Sequence, residues 1–594
     1  MAYGTVLNTG IASVNFASLG DSVLRQRTVR AMVYELALAY GIAVLANINL
    51  RHGIWCLLYA MFSSGTFLYT ILAYVVGLGV LTLHSVLCYV ERVPGNGGFA
   101  RLQRLLRSPE RTLLVMLWYM FSANIMLFAH RVVMGGSVSR MWLYPEGFYG
   151  APQLNPAWLA SGVLATASGL AYAVHMMADE RLQLSFPMVE QGRVYAFKDR
   201  IPESFLKVVR FARRSIAWFW PVYFVTGWMV YRGVCAVIGR IMRTSSYAVG
   251  NPLLSPSAIG FWLYSGTLTV LVWELTHQLY EVITTQPTRI NEMSRDSNMC
   301  LVNGLKHAGN PLVQHLAFQE LYRLAMFRPA QRAELLTDID RSSGSMWSQV
   351  SKECLAVVET ARAQLAAQNV DVAKPKVDAA KPKATTTALS SGNAPMGDIL
   401  RRGGRPKPEE PQLQPSLPSG LIGGYNVPPK ATSLDLFGPE AQGFEKYVLT
   451  KLRDMLVQSP LGTKLLARTP QASSLAVFGN FQQQVWAVRS VMRLVEASLT
   501  EDSYGVVQGD LPGILATMLG YLSELECWVG QKQGPAVVRG EFVVQATERQ
   551  AHAMIQVLRN VLYAFVVSFY DYLASLKLTP EVTQQLQAFV NFQA

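Results

Sequence analysis

Chemistry in this chain would have to come from a few ionisable residues set inside apolar runs. Glu274 and His277 stand three residues apart in the run 258–284, with Glu281 a turn further on, so they share one face of a helix. His84 lies inside a second run, and His130 and His175 lie near the ends of two others. Ionisable groups in a membrane are costly and mark proton relays or transport sites by default, unless they serve as polar links between helices. A small-solute transporter or channel using Glu274 and His277 is therefore the alternative to weigh. No paired broken helices and few intramembrane carboxylates accompany them, which favours hydrogen bonding to neighbouring helices near the cytosolic third of a bundle.

Other chemistry leaves no trace. No phosphate loop of the form GxxxxGK[ST], no GxSxG elbow and no HExxH pair occurs, and the eight histidines are scattered over the whole length. The Gly95 to Gly98 cluster is a turn with no strand before it. The six cysteines form no CxxC pair, so neither zinc nor a disulfide framework is indicated, and Cys56 and Cys235 are expected to stay unpaired. Catalytic, cofactor and metal residues are all expected to be absent, and an enzyme is not expected.

The elements that must position the ionisable residues follow from composition. Of 594 residues 51% are hydrophobic and only 15% charged, against about 25% charge in an average soluble chain. A bilayer-spanning helix needs about 20 apolar residues. Six stretches qualify: 31–50, 67–90, 112–132, 157–177, 215–236 and 258–284. The net charge of +13 sits mostly in this half, since residues 1–283 carry 22 Lys and Arg against 12 Asp and Glu. That is a membrane pattern and not a nucleic-acid footprint. Sixteen basic residues flank the spans on one side and six on the other, which by the positive-inside rule puts both termini in the cytosol.

Two basic loops have a helical rhythm. Arg101, Arg104 and Arg107 alternate with Phe99, Leu102, Leu105 and Leu106, and Lys207, Arg210, Arg213 and Arg214 alternate with Phe205, Leu206 and Val209. Such segments can lie in the headgroup layer with their arginines on lipid phosphates, or serve only as topology signals. The seven basic residues are candidate contacts to anionic headgroups.

The expected fold class is all-α: a polytopic membrane protein with six transmembrane helices in 1–284, followed by a helical soluble segment at 285–369, a disordered Pro/Lys/Ala-rich linker at 370–440 and a C-terminal α-helical domain at 441–594. The linker assignment rests on 11 prolines and a twice-repeated KPK. In the last domain, Phe444, Val448 and Leu452 mark a first helix, and the apolar run 561–569 is too short to span and reads as a core helix.

The soluble segments carry a family resemblance. HLAFQEL at 315–321, RPAQR at 328–332 and WSQVSKECL at 347–355, then QVWA at 484–487, ASLTEDSYGVVQ at 497–508 and LPGIL at 511–515, resemble blocks of the nuclear division cycle protein one family of transmembrane nucleoporins, in that family's order. LQAFVNF at 586–592 is similar too, and FPMVEQ at 186–191 is the clearest match before the fifth span. The resemblance implies an integral protein of the curved nuclear pore membrane that helps insert and anchor pore complexes. Its implied partners are inner-ring and amphipathic linker nucleoporins and, in animals, the WD-repeat nucleoporin ALADIN, with self-association left open. It makes His315, Phe318, Leu321, Arg328, Arg332, Trp347, Cys354, Trp486, Glu501, Asp502, Gly505, Gln508 and Pro512 candidate determinants of fold or docking. On this reading the linker is a tether that lets the C-terminal domain reach a distant partner.

Overall fold

Inside a bilayer the backbone has only itself for hydrogen bonding, so long apolar runs must fold as helices. The structure, a computed structural model, describes residues 15–48, 55–90, 109–135, 139–143, 153–178, 181–187, 190–242, 256–342, 344–373, 477–532 and 546–591. The described residues are almost entirely helical. In chain order they form α1 (Phe16–Asn47), α2 (Cys56–Phe62), α3 (Ser64–Leu87), α4 (Pro109–Met134), α5 (Pro156–Ala178), α6 (Arg193–Met242) and α7 (Pro256–Thr284). Beyond these come α8 (Ser297–Leu305), α9 (Pro311–Phe327), α10 (Pro329–Thr337), α11 (Met346–Ala373), α12 (Phe481–Glu501), α13 (Leu511–Lys532), α14 (Ala546–Phe569) and α15 (Pro580–Val590). A two-residue ladder, β1 (Trp142–Leu143) with β2 (Gln153–Leu154), joins α4 to α5.

Six helices among the described residues are long and apolar enough to cross a membrane: α1, α3, α4, α5, α7 and the segment Arg549–Leu573. Five are expected spans. By hydropathy the sixth is not 215–236, which is diluted by Trp and Tyr, but a segment of α14. Packing resolves the difference. Helix α14 buries Ala551, Met554, Leu558, Leu562 and Phe565 and turns His552, Gln556 and Asn560 outward, as a soluble core helix does. The 215–236 stretch instead exposes Trp218, Val222, Val225, Trp228 and Met229 while packing along α7, as a lipid-facing helix does. The bundle is therefore α1 and α3 to α7.

Helix α6 runs unbroken for 50 residues, about 75 Å at 1.5 Å per residue, through the basic stretch that was a candidate to lie flat in the headgroups. Its register against α7 is fixed along its length. Arg200 pairs with Glu281, Gln278 donates to Ser204, and the Phe219 ring meets Trp262. On that register Arg210 to Arg214 lie level with residues 267–271 of α7, so α6 enters the bundle well before residue 215.

Close helix approach is built on small residues, as membrane packing requires. At Gly169 of α5 a Cβ would lie 2.8 Å from the Tyr119 carbonyl carbon and 2.9 Å from Met120 Cα of α4. Beyond the bundle, α8, α9 and α10 start on side-chain or proline caps: Asp296 accepts from Met299 N, Asn310 from Leu312 N, and Pro329 occupies the first turn of α10.

The two soluble stretches share one core. Phe318, Trp347 and Leu365 from the first belong to the same buried cluster as Trp486, Leu515, Leu558 and Phe589 from the second. This corrects the tether reading, because α12 to α14 pack on α9 to α11 and are not held at a distance from them. The core also extends into the membrane half through Phe16, Leu81, Phe186 and Ile283. Residues 374–476, with most of the expected linker and the Phe444 helix, lie outside the described residues.

Candidate functional site

The intramembrane polar residues are joined to one another. Arg181, just past α5, meets both carboxylate oxygens of Glu274, one at 2.8 Å, and the Tyr172 hydroxyl donates to the same carboxylate at 3.1 Å. Glu281 takes Ser185 and, at 3.0 Å, Arg200. His84 Nδ1 lies 2.7 Å from the Val80 carbonyl oxygen and so must donate to it. Its Nε2 is then the acceptor for His277 Nδ1 at 2.8 Å. His130 sits between the Tyr69 hydroxyl at 3.0 Å and Ser265 at 3.1 Å. Apart from the Val80 carbonyl, which lies on the same helix as His84, each partner comes from another helix or loop, which is the interhelical bonding expected of polar glue. Glu35, fully buried on α1, adds a link that its sequence position did not reveal, accepting from Thr276 of α7 at 2.8 Å.

The exit of the last span is fastened from both sides. Arg27 of α1 is buried and donates to the carbonyls of Thr284 at 2.5 Å and Pro287 at 3.1 Å. Glu320 of α9 accepts from the backbone N–H groups of Ile290 and Asn291, each at 3.0 Å. Burial pushes its carboxyl up to about 7. Sequence reasoning counted Arg27 as a topology charge and passed over Glu320. An acid within a helical apolar stripe was the available signal. Helix α1 itself continues past the bundle, and Phe16 packs into the soluble core.

Most matched-block residues build the soluble unit. Phe186 stacks on His315 with centroids 5.8 Å apart and meets Trp486 edge-on at 5.4 Å, so three blocks converge on one aromatic contact. His315 Nδ1 donates to the Pro311 carbonyl oxygen at 2.9 Å, and burial pushes its imidazole down to about 4. Arg332 forks onto Glu501 at 2.7 and 3.1 Å and donates to the Ala325 carbonyl at 2.7 Å. Trp347 Nε1 donates to Asp510 at 2.9 Å, and Arg328 meets Glu292 and Gln331. Phe318, Leu321 and Cys354 are fully buried. The Asp502 carboxylate accepts from Tyr504 N at 3.1 Å and Val507 N at 2.9 Å around Gly505, whose φ of +67° suits glycine. Gln508 closes that turn through its N–H on the Gly505 carbonyl, and Pro512 sits in the first turn of α13.

The headgroup candidates divide. Arg101, Arg104 and Arg107 lie outside the described residues. Lys207, Arg210, Arg213 and Arg214 are exposed on α6, and Lys207 pairs with Glu203 at 2.9 Å. None of the six cysteines forms a disulfide, and no cluster with metal-binding geometry occurs among the described residues.

A bundle of six helices joined to a helical soluble unit through a shared buried cluster defines a polytopic membrane protein with a large helical unit beyond its spans. The family model Nucleoporin protein Ndc1-Nup matches residues 22–587, and the chain belongs to that family. It is similar to Nucleoporin NDC1 of Xenopus laevis, 22% identical over 74% of this chain and 77% of the relative, and to that of Homo sapiens, 22% identical over 72% and 74%. Nucleoporin NDC1 of Chaetomium thermophilum is 25% identical over 59% of each chain. The chain is thus a transmembrane nucleoporin of the nuclear pore membrane, and the transporter alternative is not favoured.

Proposed function

We propose that the protein anchors the nuclear pore scaffold to the pore membrane and assists pore-complex assembly, as a structural component and not an enzyme. The observation that carries this reading is the continuity between bundle and soluble unit. Helix α1 belongs to both, Arg27 fastens the end of α7 to α1, and Glu320 fastens the following turn to α9. A load applied to the soluble unit then passes into six membrane helices without crossing a flexible joint at residue 285.

The soluble unit and both termini face the cytosol and pore, as the basic residues flanking the spans argue. Its partners are inner-ring and amphipathic linker nucleoporins and, in animal cells, ALADIN, with lipid headgroups as a further contact and no direct nucleic acid. Because the matched-block residues are largely internal, docking falls to exposed apolar side chains around the Arg332–Glu501 pair. Phe327 follows the Ala325 carbonyl that Arg332 grips, and Leu499 and Tyr504 flank Glu501. These three are 64%, 40% and 64% exposed. Proximity labelling from the C-terminus tests the assignment: scaffold nucleoporins should dominate the labelled proteins, and their absence would reject it.

A further inference from the structure

The outer face of α6 is out of step with the rest of the bundle. Contacts between the spans give them a common height scale. Arg27 meets the Thr284 carbonyl, Thr276 bonds to Glu35, His277 meets His84, the Tyr172 hydroxyl reaches Glu274, and the Tyr119 ring meets Trp273 at 5.1 Å. Counted from these contacts at 1.5 Å per residue, the apolar runs of α1, α3, α4 and α5 extend from about level with residue 260 of α7 to about level with residue 280, roughly 30 Å and one hydrocarbon thickness. The contacts of α6 put Arg200 opposite Glu281, Ser204 opposite Gln278 and Phe219 opposite Trp262. Arg210, Arg213 and Arg214 therefore stand about halfway down that belt. All three are exposed, while the ion pairs that α6 makes among the described residues belong to Arg200 and Lys207.

Past Arg214 the chemistry reverses. From Ser215 to Tyr231 the helix has no charged residue, and Trp218, Val222, Phe224, Val225, Trp228 and Met229 are exposed, until Arg232 ends the stretch. Helix α6 thus carries its own belt between Arg214 and Arg232, about 27 Å long and displaced about 15–20 Å away from the soluble unit relative to the other five spans. A charge at mid-bilayer is costly unless headgroups and water reach it, and an apolar face left in water is costly too. A flat bilayer would impose both. The exposed face is broad and set mainly with Trp, Phe and Val, not with the small residues of a helix–helix seam, so lipid and not a further helix covers it.

We propose that the bilayer drops along α6, so that phosphates of the leaflet on the soluble unit's side lie on Arg210, Arg213 and Arg214 and the hydrocarbon begins at Trp218. The phosphates supply the counter-charge that these arginines need, and a tryptophan at that boundary has the place its ring prefers. A bilayer that meets five spans at one height and the sixth farther from the soluble unit slopes away from that unit. That is the slope of a membrane convex toward it, so the displaced belt fits the protein to a curved bilayer. The assignment rests on the membrane-spanning bundle and holds whatever partner the soluble unit docks.

The test places the full chain in vesicles of phosphatidylcholine with a minority of phosphatidylserine and labels introduced cysteines with a membrane-impermeant maleimide, read site by site by mass spectrometry so that the native cysteines do not interfere. Leu206 of α6 and Leu117 of α4 stand level with each other and are 56% and 54% exposed. Leu206→Cys should label from the soluble unit's side, and Leu117→Cys should not. Val225→Cys, which a flat bilayer would leave outside on the far side, should resist reagent added outside or trapped within. Changing Arg210, Arg213 and Arg214 together to Leu raises the apolar face to the height of the other spans, and labelling of Leu206→Cys should then be lost. The single-cysteine variants keep all three arginines and decide the question even if the triple variant fails to fold. Chains with the soluble unit outside should also concentrate in narrow tubes drawn from giant vesicles. Protection of Leu206→Cys with labelling of Val225→Cys, or even partition between tube and flat membrane, would overturn the proposal. So would protection of Leu206→Cys in native membranes alone, which would assign the face to a partner helix.

Discussion

Arg332 and Glu501, 169 residues apart in the chain, meet as a two-point guanidinium–carboxylate pair that joins α10 to the end of α12. The side chains are 8% and 17% exposed, and breaking a largely buried pair from one side costs about 3 kcal/mol because the survivor keeps its desolvation penalty. Arg332→Ala or Glu501→Ala alone should therefore loosen the soluble unit, read as faster hydrogen exchange in α12 of the full chain. The double variant should cost less than the two singles combined, and strict additivity would show that the pair is not coupled.

Gly169→Ala should disrupt the α4–α5 crossing, because its new methyl group meets backbone atoms of Tyr119 and Met120 that cannot rotate away. The expected loss is about 1–3 kcal/mol, measured as a lower unfolding temperature of the purified protein in detergent. Gly162→Ala, on the same helix with open space around it, serves as the control and should have little effect.

The soluble unit holds two groups with opposite proton linkage. Glu320 is raised from 4.5 to about 7, so between those values the folded state keeps a proton that the unfolded state has lost, and stability falls as pH rises. His315 is lowered from 6.5 to about 4, so between those values the unfolded state holds the extra proton and stability rises with pH. Each effect amounts to about 3 kcal/mol at its limit. They offset one another between pH 4.5 and 6.5. Denaturation across that range should show stability rising with pH in Glu320→Gln and falling with pH in His315→Phe. The same slope in both variants would exclude the assignment.

Phe327→Ala combined with Tyr504→Ala should leave stability within about 0.5 kcal/mol of the parent, since both side chains are exposed. It should nevertheless weaken scaffold capture by the full chain several-fold. Unchanged capture would move the docking surface elsewhere.

Where periodicity and length decide structure, the sequence was readable. The six expected spans stand close to where apolar run length set them, and the run 561–569 lies inside the core helix α14. Long-range pairing was not readable. Nothing in the spacing of Phe186, His315 and Trp486 says that the three rings meet, and nothing near Arg27 says that it grips the carbonyls of Thr284 and Pro287. For the same reason the two soluble stretches looked separable, since a long polar insertion between them hides a shared core. An average hydropathy ranks α14 above the fifth span, because Trp and Tyr lower the score of a helix whose outer face they cover well while an amphipathic core helix gains from its buried side, and the lengths of the apolar runs 215–236 and 561–569 separate the two.

The anchoring role is tested most directly by the lateral mobility of the fluorescently tagged full chain in the nuclear envelope of cells lacking the endogenous protein. The unaltered chain should be immobile and coincide with pores, while Phe327→Ala with Tyr504→Ala should remain in the membrane but diffuse freely. A freely diffusing unaltered chain would contradict the account.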